Sequence, residues 1–472
     1  MRRVKRLLFG LAGIASAALA GCTVGPNYKR PPVAVPERFY GEAAASEARS
    51  LADLPWWEVF QDPVLRGLVE EALKDGFDAR LAAARVEEAR ALYGAARGDL
   101  FPAVGYQAGF ERTRADQFGN PDGETDTKWT AKLGFSWELD LWGRIRRQTE
   151  AARAEYLATE AARRGVLLTL VSDVATAYFE LRELDAELEI ARHTTAAFQD
   201  TFDLFQRQLE GGTASALETS RAEASLGQVA AQVPEIERAI VAKENELNFL
   251  LGRAPQPLPR EAVETLLPPE VPPGLPSTLL ERRPDLQQAE QLLVAANASI
   301  GIAKARFFPA LNLTGFFGNV SPELSQLFSE GKTWDLNAGL LGPIFAAGRI
   351  KKNYEAARAR HAQAAVQYQA AVTNAFSEVS RSLVDCTKLV ETERQRARTV
   401  AAYREAVRLA NLRYRSGLSA YFEVLDAQQQ LFPAELGLAQ THRNRLNAIV
   451  SLYKALGGGW PVPAATAAAS GR

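Results

Sequence analysis

Few side chains in this sequence have the type and spacing for covalent or metal chemistry, and the first of them is Cys22. Arg2, Arg3, Lys5 and Arg6 precede an apolar run from Leu7 to Leu19, and Leu19, Ala20, Gly21 and Cys22 close it. That is the order of a secretory signal segment, too short to span a bilayer. The ending looks like a bacterial lipobox, in which the cysteine thiol is acylated and the chain is cut before it; an ordinary signal peptide with an incidental cysteine is the other reading. Thr23 stands where an Asp would mark inner-membrane retention in such lipoproteins, so the expected destination is the outer membrane. A covalent lipid, palmitate among its chains, is the one non-protein group expected. The sequence holds 2 cysteines in all, the second being Cys386, so no disulfide framework or Cys-based metal site is available. His193, His361 and His442 have no metal-ligand spacing, and neither a Gly-rich phosphate loop nor a nucleophile elbow is present. No catalytic site and no metal are expected. A net charge of -1, with Lys and Arg scattered among Asp and Glu, also argues against a nucleic-acid partner.

The elements that must position such a chain in a membrane are strands, because no apolar run after Cys22 is long enough for a spanning helix. From Trp129 through Ala131, Leu133, Phe135, Trp137 and Leu139 to Leu141, every second residue is apolar and those between are polar or Gly. This is the pattern of a strand with lipid on one side and water on the other. Val104, Tyr106, Ala108 and Phe110 alternate likewise; so do Leu311, Leu313 and Phe317, and Trp334, Leu336, Ala338, Leu340 and Ile344. The strands are predicted at about 101–115, 128–141, 307–318 and 333–346. Ordinary amphipathic strands of a soluble sheet would show the same alternation. Four strands cannot close a barrel, so a barrel here has to be shared between chains.

The strands sit inside a tandem duplication. Glu150-Ala151-Ala152-Arg153-Ala154 returns as Glu355-Ala356-Ala357-Arg358-Ala359, Gly143 as Gly348, Gly212 as Gly417, Glu218 as Glu423 and Gly252 as Gly457, all at one offset. Phe101-Pro102-Ala103 returns as Phe308-Pro309-Ala310, two residues further on. The chain therefore divides into a signal peptide (1–21), an anchored N-terminal segment (22–61), a first repeat (62–252), a Pro-rich linker (253–278), a second repeat (279–457) and a disordered tail (458–472). Each repeat also carries a short helix, 62–99 and 279–306, a very long one, 143–210 and 348–415, and a return helix, 213–251 and 418–456. Leu167, Leu170, Val174, Ala177, Leu181, Leu184, Leu188, Ala191, Thr195, Phe198, Phe202, Phe205 and Leu209 keep a heptad step along the first long helix. At about 1.5 Å per residue that helix would run roughly 100 Å. The fold class is mostly α with a β-barrel portion. Heptads alone favour a plain coiled coil; strand pairs at one end of such helices favour a barrel continued by a helical tube.

These residues resemble a known family, the TolC-like outer-membrane efflux factors, and within it the lipoprotein (NodT-like) channels of tripartite RND-type pumps. The resemblance rests on Cys22 followed by Val24-Gly25-Pro26-Asn27-Tyr28-Lys29-Arg30-Pro31, on Trp56-Trp57-Glu58-Val59-Phe60 with Asp62, and on Arg283-Pro284-Asp285-Leu286. Arg413-Tyr414-Arg415-Ser416-Gly417 and Glu423-Val424-Leu425-Asp426-Ala427 complete it. It implies a homotrimer with a twelve-stranded barrel in the outer membrane and a twelve-helix tunnel through the periplasm. The partners it implies are outer-membrane lipid, a periplasmic adaptor (membrane fusion) protein and an inner-membrane pump, and the work is passive conduction of small molecules. The family's periplasmic gate falls at Phe422, Glu423 and Asp426, where three copies would make an apolar ring and carboxylate rings. Glu423 and Asp426 also fit plain early-helix acids that complement the helix dipole. Arg221, equivalent to Asp426 in the first repeat, could pair with a neighbouring acid. The adaptor-docking tips fall at Gly211, Gly212 and Thr213 and at Ser416, Gly417, Leu418 and Ser419, where glycine would in any case close a helical hairpin. A lipid-anchored periplasmic coiled-coil scaffold or adaptor, and the exit duct of a protein secretion system, are the rival readings.

Overall fold

The computed structural model describes residues 23–33, 35–36, 38–40, 59, 62–114, 125–260, 279–329 and 331–458. The signal segment, Cys22, the Trp56-Trp57 pair, most of the linker and the tail lie outside the described residues.

Two helices, α1 (Pro63–Asp75) and α2 (Phe77–Gly98), stand where the sequence predicted one over 62–99. Asp62 caps α1, its Oδ1 accepting from the amides of Val64 at 2.8 Å and Leu65 at 3.0 Å, and Pro63 at the first helical position has no N–H to lose. The break falls at Gly76. A Cβ there would meet the carbonyl oxygens of Ala72 at 2.4 Å and Leu250 at 2.8 Å, so only glycine permits this approach. Next come β1 (Ala103–Arg114), β2 (Thr125–Leu139) and α3 (Arg144–Glu210). The return helix expected at 213–251 is in fact α4 (Ala216–Ala230) and α5 (Gln232–Leu250), because Pro234 has no N–H for the carbonyl of Ala230 and its ring crowds it. The second repeat opens with α6 (Leu279–Arg282) and α7 (Pro284–Ala305) rather than one helix over 279–306: Arg283, preceding a proline, is driven from the helical region. After β3 (Ala310–Ser321), a 3-10 turn at Leu324–Gln326 leads to β4 (Lys332–Leu341), then α8 (Arg349–Arg415) and α9 (Phe422–Ala455). β4 stops short of the predicted 346 because Pro343 cannot donate to a ladder, which leaves Ile344 outside the strand. α9 begins at Phe422 rather than 418, and it continues through Pro433. The two long helices have 67 residues each. They hold no proline and a single glycine, Gly165, so nothing in their sequence interrupts them.

The strands form one antiparallel sheet in the order β1-β2-β3-β4. Its register sets Phe110 opposite Trp129, Leu133 opposite Phe317 and Leu313 opposite Ala338, so the alternating apolar residues of all four strands share one face. Tyr106, Leu133, Phe317, Trp334 and Leu340 are exposed there. An apolar face of this extent without a covering layer fits lipid, not water.

The described residues fall into two compact units, each drawing on both halves of the duplication. The first gathers the residues up to Pro32 with Arg85–Glu160 and Gln288–Gln369, and so holds the whole sheet. In it the N-terminal segment lies as a strap on α3 and α7. Val24 donates to the carbonyl of Trp142 at 3.0 Å, Asn297 donates to that of Pro26 at 3.0 Å, and Arg147 donates to Asn27 at 2.7 Å. Tyr28 and Arg30 both donate to Glu290, at 3.1 and 2.7 Å. Gly25 crosses Gly301 so closely that a Cβ would sit 2.6 Å from its Cα.

The second unit takes Val33–Ala84, Ala161–Gln287 and Ala370 onward. The predicted heptad of α3 is its spine: Leu167, Leu170, Val174, Ala177, Leu181 and Ala191 are buried in one apolar cluster, Phe198 and Phe205 in a second. Leu209 at the end of the series is exposed. Cys386 packs against the first cluster, and burial pushes its thiol up to about 11, so it is a small apolar filler rather than a nucleophile. Arg283 of the Arg-Pro-Asp run is buried and donates to the carbonyl of Ala455 at 2.9 Å, to Asp285 at 2.7 Å and to Glu378 at 2.7 Å, tying the start of α7 to α8 and to the end of α9.

Candidate functional site

The two helix–helix turns of the second unit are built alike. After α3, Gly212 has φ 73°, its amide donates to Leu209 and that of Thr213 to Gln208. After α8, Gly417 has φ 71°, its amide donates to Tyr414 and that of Leu418 to Arg413. Both are Schellman ends, in which glycine supplies the left-handed residue and two orphan carbonyls are satisfied. Gly211, Gly212, Thr213, Ser416, Gly417 and Leu418 are exposed and Ser419 is half-buried. The Ser419 hydroxyl oxygen is itself buried without a hydrogen-bond partner among the described residues.

The helices that follow start differently. Ser215 caps α4 in a full capping box: its Oγ accepts the amide of Glu218 at 3.3 Å, and the Glu218 carboxylate accepts the amide of Ser215 at 2.8 Å. The Ser215 amide, together with the Ser215 hydroxyl donating to the same carboxylate at 2.9 Å, holds the Glu218 carboxyl below the usual carboxylate range. The equivalent of Ser215 in the second repeat is Ala420, and α9 has no side-chain cap. Glu423, the counterpart of Glu218, is thereby freed from capping, and it meets Arg413 at 3.3 Å instead.

The start of α9 is fixed by Tyr421. Its ring is buried edge-on against Phe205, 4.6 Å between centroids, and Tyr414, at 5.2 Å, and its hydroxyl donates to Thr201 at 2.8 Å. Val424 and Leu425 are buried in the same cluster with Ala222 and Val229 of α4. Gln429 donates to Ser225 across the two helices at 3.1 Å. With that face anchored, Phe422, Glu423 and Asp426 all point outward, Phe422 at 61% exposure. Leu217, the counterpart of Phe422, is likewise 61% exposed.

Phe422, Glu423 and Asp426 are therefore brought to one exposed face, as an i,i+3 and an i,i+4 relation require. Arg221 is exposed on α4, and among the described residues it forms no ion pair with Glu423 or Asp426. Cys22 lies outside the described residues. The Arg413–Glu423 pair and the Tyr421 anchor are not readable from residue spacing, since both reach across the turn at Gly417; the one visible signal is an aromatic on each side of it, Tyr414 and Tyr421. Among the described residues no group of three or more His, Cys, Asp or Glu could hold a metal ion, and no helix is long and apolar enough to cross a membrane.

A family model described as outer membrane efflux protein matches residues 68–253 and again 275–458. The probable efflux pump outer membrane protein TtgC of Pseudomonas putida is 37% identical over 456 residues, covering 94% of this chain and 93% of that protein. The cation efflux system protein CusC of Escherichia coli is 34% identical over 451 residues, covering 94% of this chain and 97% of its own. Among solved structures, the open state of the MtrE outer membrane channel of Neisseria gonorrhoeae superposes with a TM-score of 0.83 at 33% identity, over 93% of this chain and 98% of that one.

Proposed function

This chain belongs to the outer membrane efflux protein family, and from that membership we infer its work: it is the outer-membrane channel of an efflux pump, passing small molecules to the exterior by passive conduction. On this reading it acts as a homotrimer and carries out no catalysis. An acylated Cys22 tethers it to the membrane. The turns at Gly211-Gly212-Thr213 and Gly417-Leu418-Ser419 receive a periplasmic adaptor that links it to an inner-membrane pump.

The observation that carries the gate is the division of one helical turn. Tyr421, Val424 and Leu425 are buried while Phe422, Glu423 and Asp426 are exposed. Three copies about an axis would turn that exposed face into an apolar ring backed by carboxylates. An apolar constriction closes by dewetting, and a carboxylate ring favours cations.

Conductance of single channels from the purified trimer in a planar bilayer tests this. Small cation-selective openings are expected from the wild type. Phe422→Ala is expected to raise conductance, and Asp426→Ala to raise it and weaken cation selectivity. Folded trimers that never conduct, in wild type and both variants, would leave a periplasmic coiled-coil scaffold as the reading instead.

A further inference from the structure

In each repeat the break before the second helix meets the end of the return helix, and the two repeats build that joint from different residues. In the first, Gly76 packs on the carbonyl of Leu250, and the exposed rings of Phe77 and Phe249 lie against each other, 5.8 Å between centroids. The offset that carries Phe101-Pro102-Ala103 onto Phe308-Pro309-Ala310 turns Gly76 and Phe77 into Arg283 and Pro284. The offset that carries Gly252 onto Gly457 turns Phe249 and Leu250 into Lys454 and Ala455, and Thr176 and Ala177 of α3 into Arg381 and Ser382 of α8. An apolar joint in the first repeat is thus a charged and hydroxylated one in the second.

Around the second joint lies a cavity of about 450 Å³, a size at which small-molecule sites are found. α3 supplies Thr169 to it, α8 supplies Arg381, Ser382 and Asp385, and α9 supplies Ser451 and Lys454. All belong to the second unit of one chain. Arg283 lines the cavity too, but its guanidinium is committed to Asp285, Glu378 and the carbonyl of Ala455. The other polar groups are uncommitted. Among the described residues Arg381, Lys454 and Asp385 form no ion pair, and the hydroxyls of Thr169, Ser382 and Ser451 make no hydrogen bond. Ser382 is only 7% exposed. A buried helical serine ordinarily bonds the carbonyl one turn back, as Ser172 does with Leu168 at 2.8 Å; Ser382 leaves that bond unmade, and a buried polar group without a partner calls for a reason. The first repeat makes the same joint without any of these groups, so packing does not require them.

We propose that this cavity binds a short peptide with both ends free, its carboxylate held by Arg381 and Lys454, its ammonium group by Asp385, and its amides by the hydroxyls of Thr169, Ser382 and Ser451. Complementarity selects this class. Arg381 and Lys454 repel a purely cationic ligand, while Asp385, together with Asp173, whose charge Lys454 also feels, works against a purely anionic one. An apolar molecule would strip water from all six groups and return no hydrogen bond to any of them. The site is made by one copy of the chain, so the proposal goes beyond the channel reading and does not rest on it.

Calorimetric titration of the full-length protein in detergent with trialanine, N-acetyl-trialanine and trialanine amide tests this. Trialanine is expected to bind saturably, and each blocked form about tenfold more weakly, since each loses one charge-assisted contact. Two variants assign the ends. Arg381→Gln combined with Lys454→Gln should bind trialanine no better than its amide, and Asp385→Asn should bind it no better than N-acetyl-trialanine. No saturation by trialanine up to about 10 mM, or equal binding of all three peptides, would overturn the proposal. So would N-acetyl-trialanine binding as tightly as trialanine while the amide does not, which would make this a site for plain anions. Undiminished discrimination among the three peptides in both variants would place the peptide elsewhere on the chain and overturn it as well. The comparison among peptides is made on the wild type, so it stands even where a variant fails to fold.

Discussion

At the scale of single residues, the most informative carboxylate is one that spacing did not single out. Glu183 on α3 is 8% exposed at its side chain and lies 3.1 Å from Arg443 of α9. Asp62, Tyr178, Arg182, Glu183, His442 and Arg443 line one cavity of about 70 Å³. Burial pushes Glu183 up to about 7, Glu187 and Glu180 add to the rise, and Arg443 opposes it. The folded chain therefore binds this proton more tightly than the unfolded chain, where the carboxyl titrates near its ordinary value of about 4.3. The associated stability is complete below that value and is lost as the pH rises through about 7. Glu183→Gln keeps the shape and removes the titration. Its unfolding midpoint, followed from pH 4.5 to 8, should lack the part of the decline that the wild type shows over that window. Each pKa unit is worth about 1.4 kcal/mol, so between the two ends of that window the two curves should diverge by about 3–4 kcal/mol, while the loss of one Arg443 partner in the variant shifts its whole curve without changing its slope. Parallel curves would mean that Glu183 is ionised throughout. Nothing in the sequence marks this site: Glu183 falls one residue from the apolar heptad position at Leu184, and its burial depends on Arg443 arriving from the far end of the chain.

At the scale of elements, the two repeats have the same parts but not the same start to their return helices, and a single side chain accounts for the difference. Ser215 closes a capping box on α4; Ala420 cannot close one on α9. Ala420→Ser should restore the box, draw Glu423 back to the residue 420 amide and loosen its contact with Arg413. A regained cap is worth about 1 kcal/mol, so hydrogen exchange of the Glu423 and Val424 amides should slow about fivefold. Unchanged exchange would show that Tyr421 alone holds this turn. The long helices were legible because their heptads run through chain with no proline to contradict them, and the strands because alternation of period two is hard to mistake over ten residues. The helix breaks were written less plainly. Pro234 ends a helix and Pro433 does not, although each sits in an apolar repeat, so the local signal is the same in both places and tertiary surroundings decide. The Arg-Pro-Asp run at Arg283 was readable as a motif but not as a tie, because its partners, Glu378 and the carbonyl of Ala455, come from two other helices.

At the scale of the whole molecule, the duplication was legible but its folding was not. Repeats read along the sequence suggest two successive halves, whereas each compact unit takes segments from both. The cause is the seam between β2 and β3: once Leu139 lies opposite Leu311, one sheet holds strands from both repeats, and the helix segments adjoining those strands belong with it. The N-terminal strap reinforces that union within the first unit, since it bonds Arg147 of α3 from the first repeat and Asn297 and Glu290 of α7 from the second. Glu290 is its main fastening. The side chain is 13% exposed and takes hydrogen bonds from both Tyr28 and Arg30, so truncation leaves two donors without their acceptor. Glu290→Ala should lower the cost of local opening of the strap by about 1–2 kcal/mol, enough to speed tryptic cleavage between Lys29 and Arg30 about tenfold at equal protease. Glu87→Ala, which breaks only an exposed ion pair with Arg90 one helical turn away, should leave that cleavage unchanged. If Glu290→Ala cuts no faster than Glu87→Ala, the strap is held by the close crossing of Gly25 and Gly301 and by the Val24 backbone bond instead, and the side chains of Tyr28 and Arg30 do not set its stability.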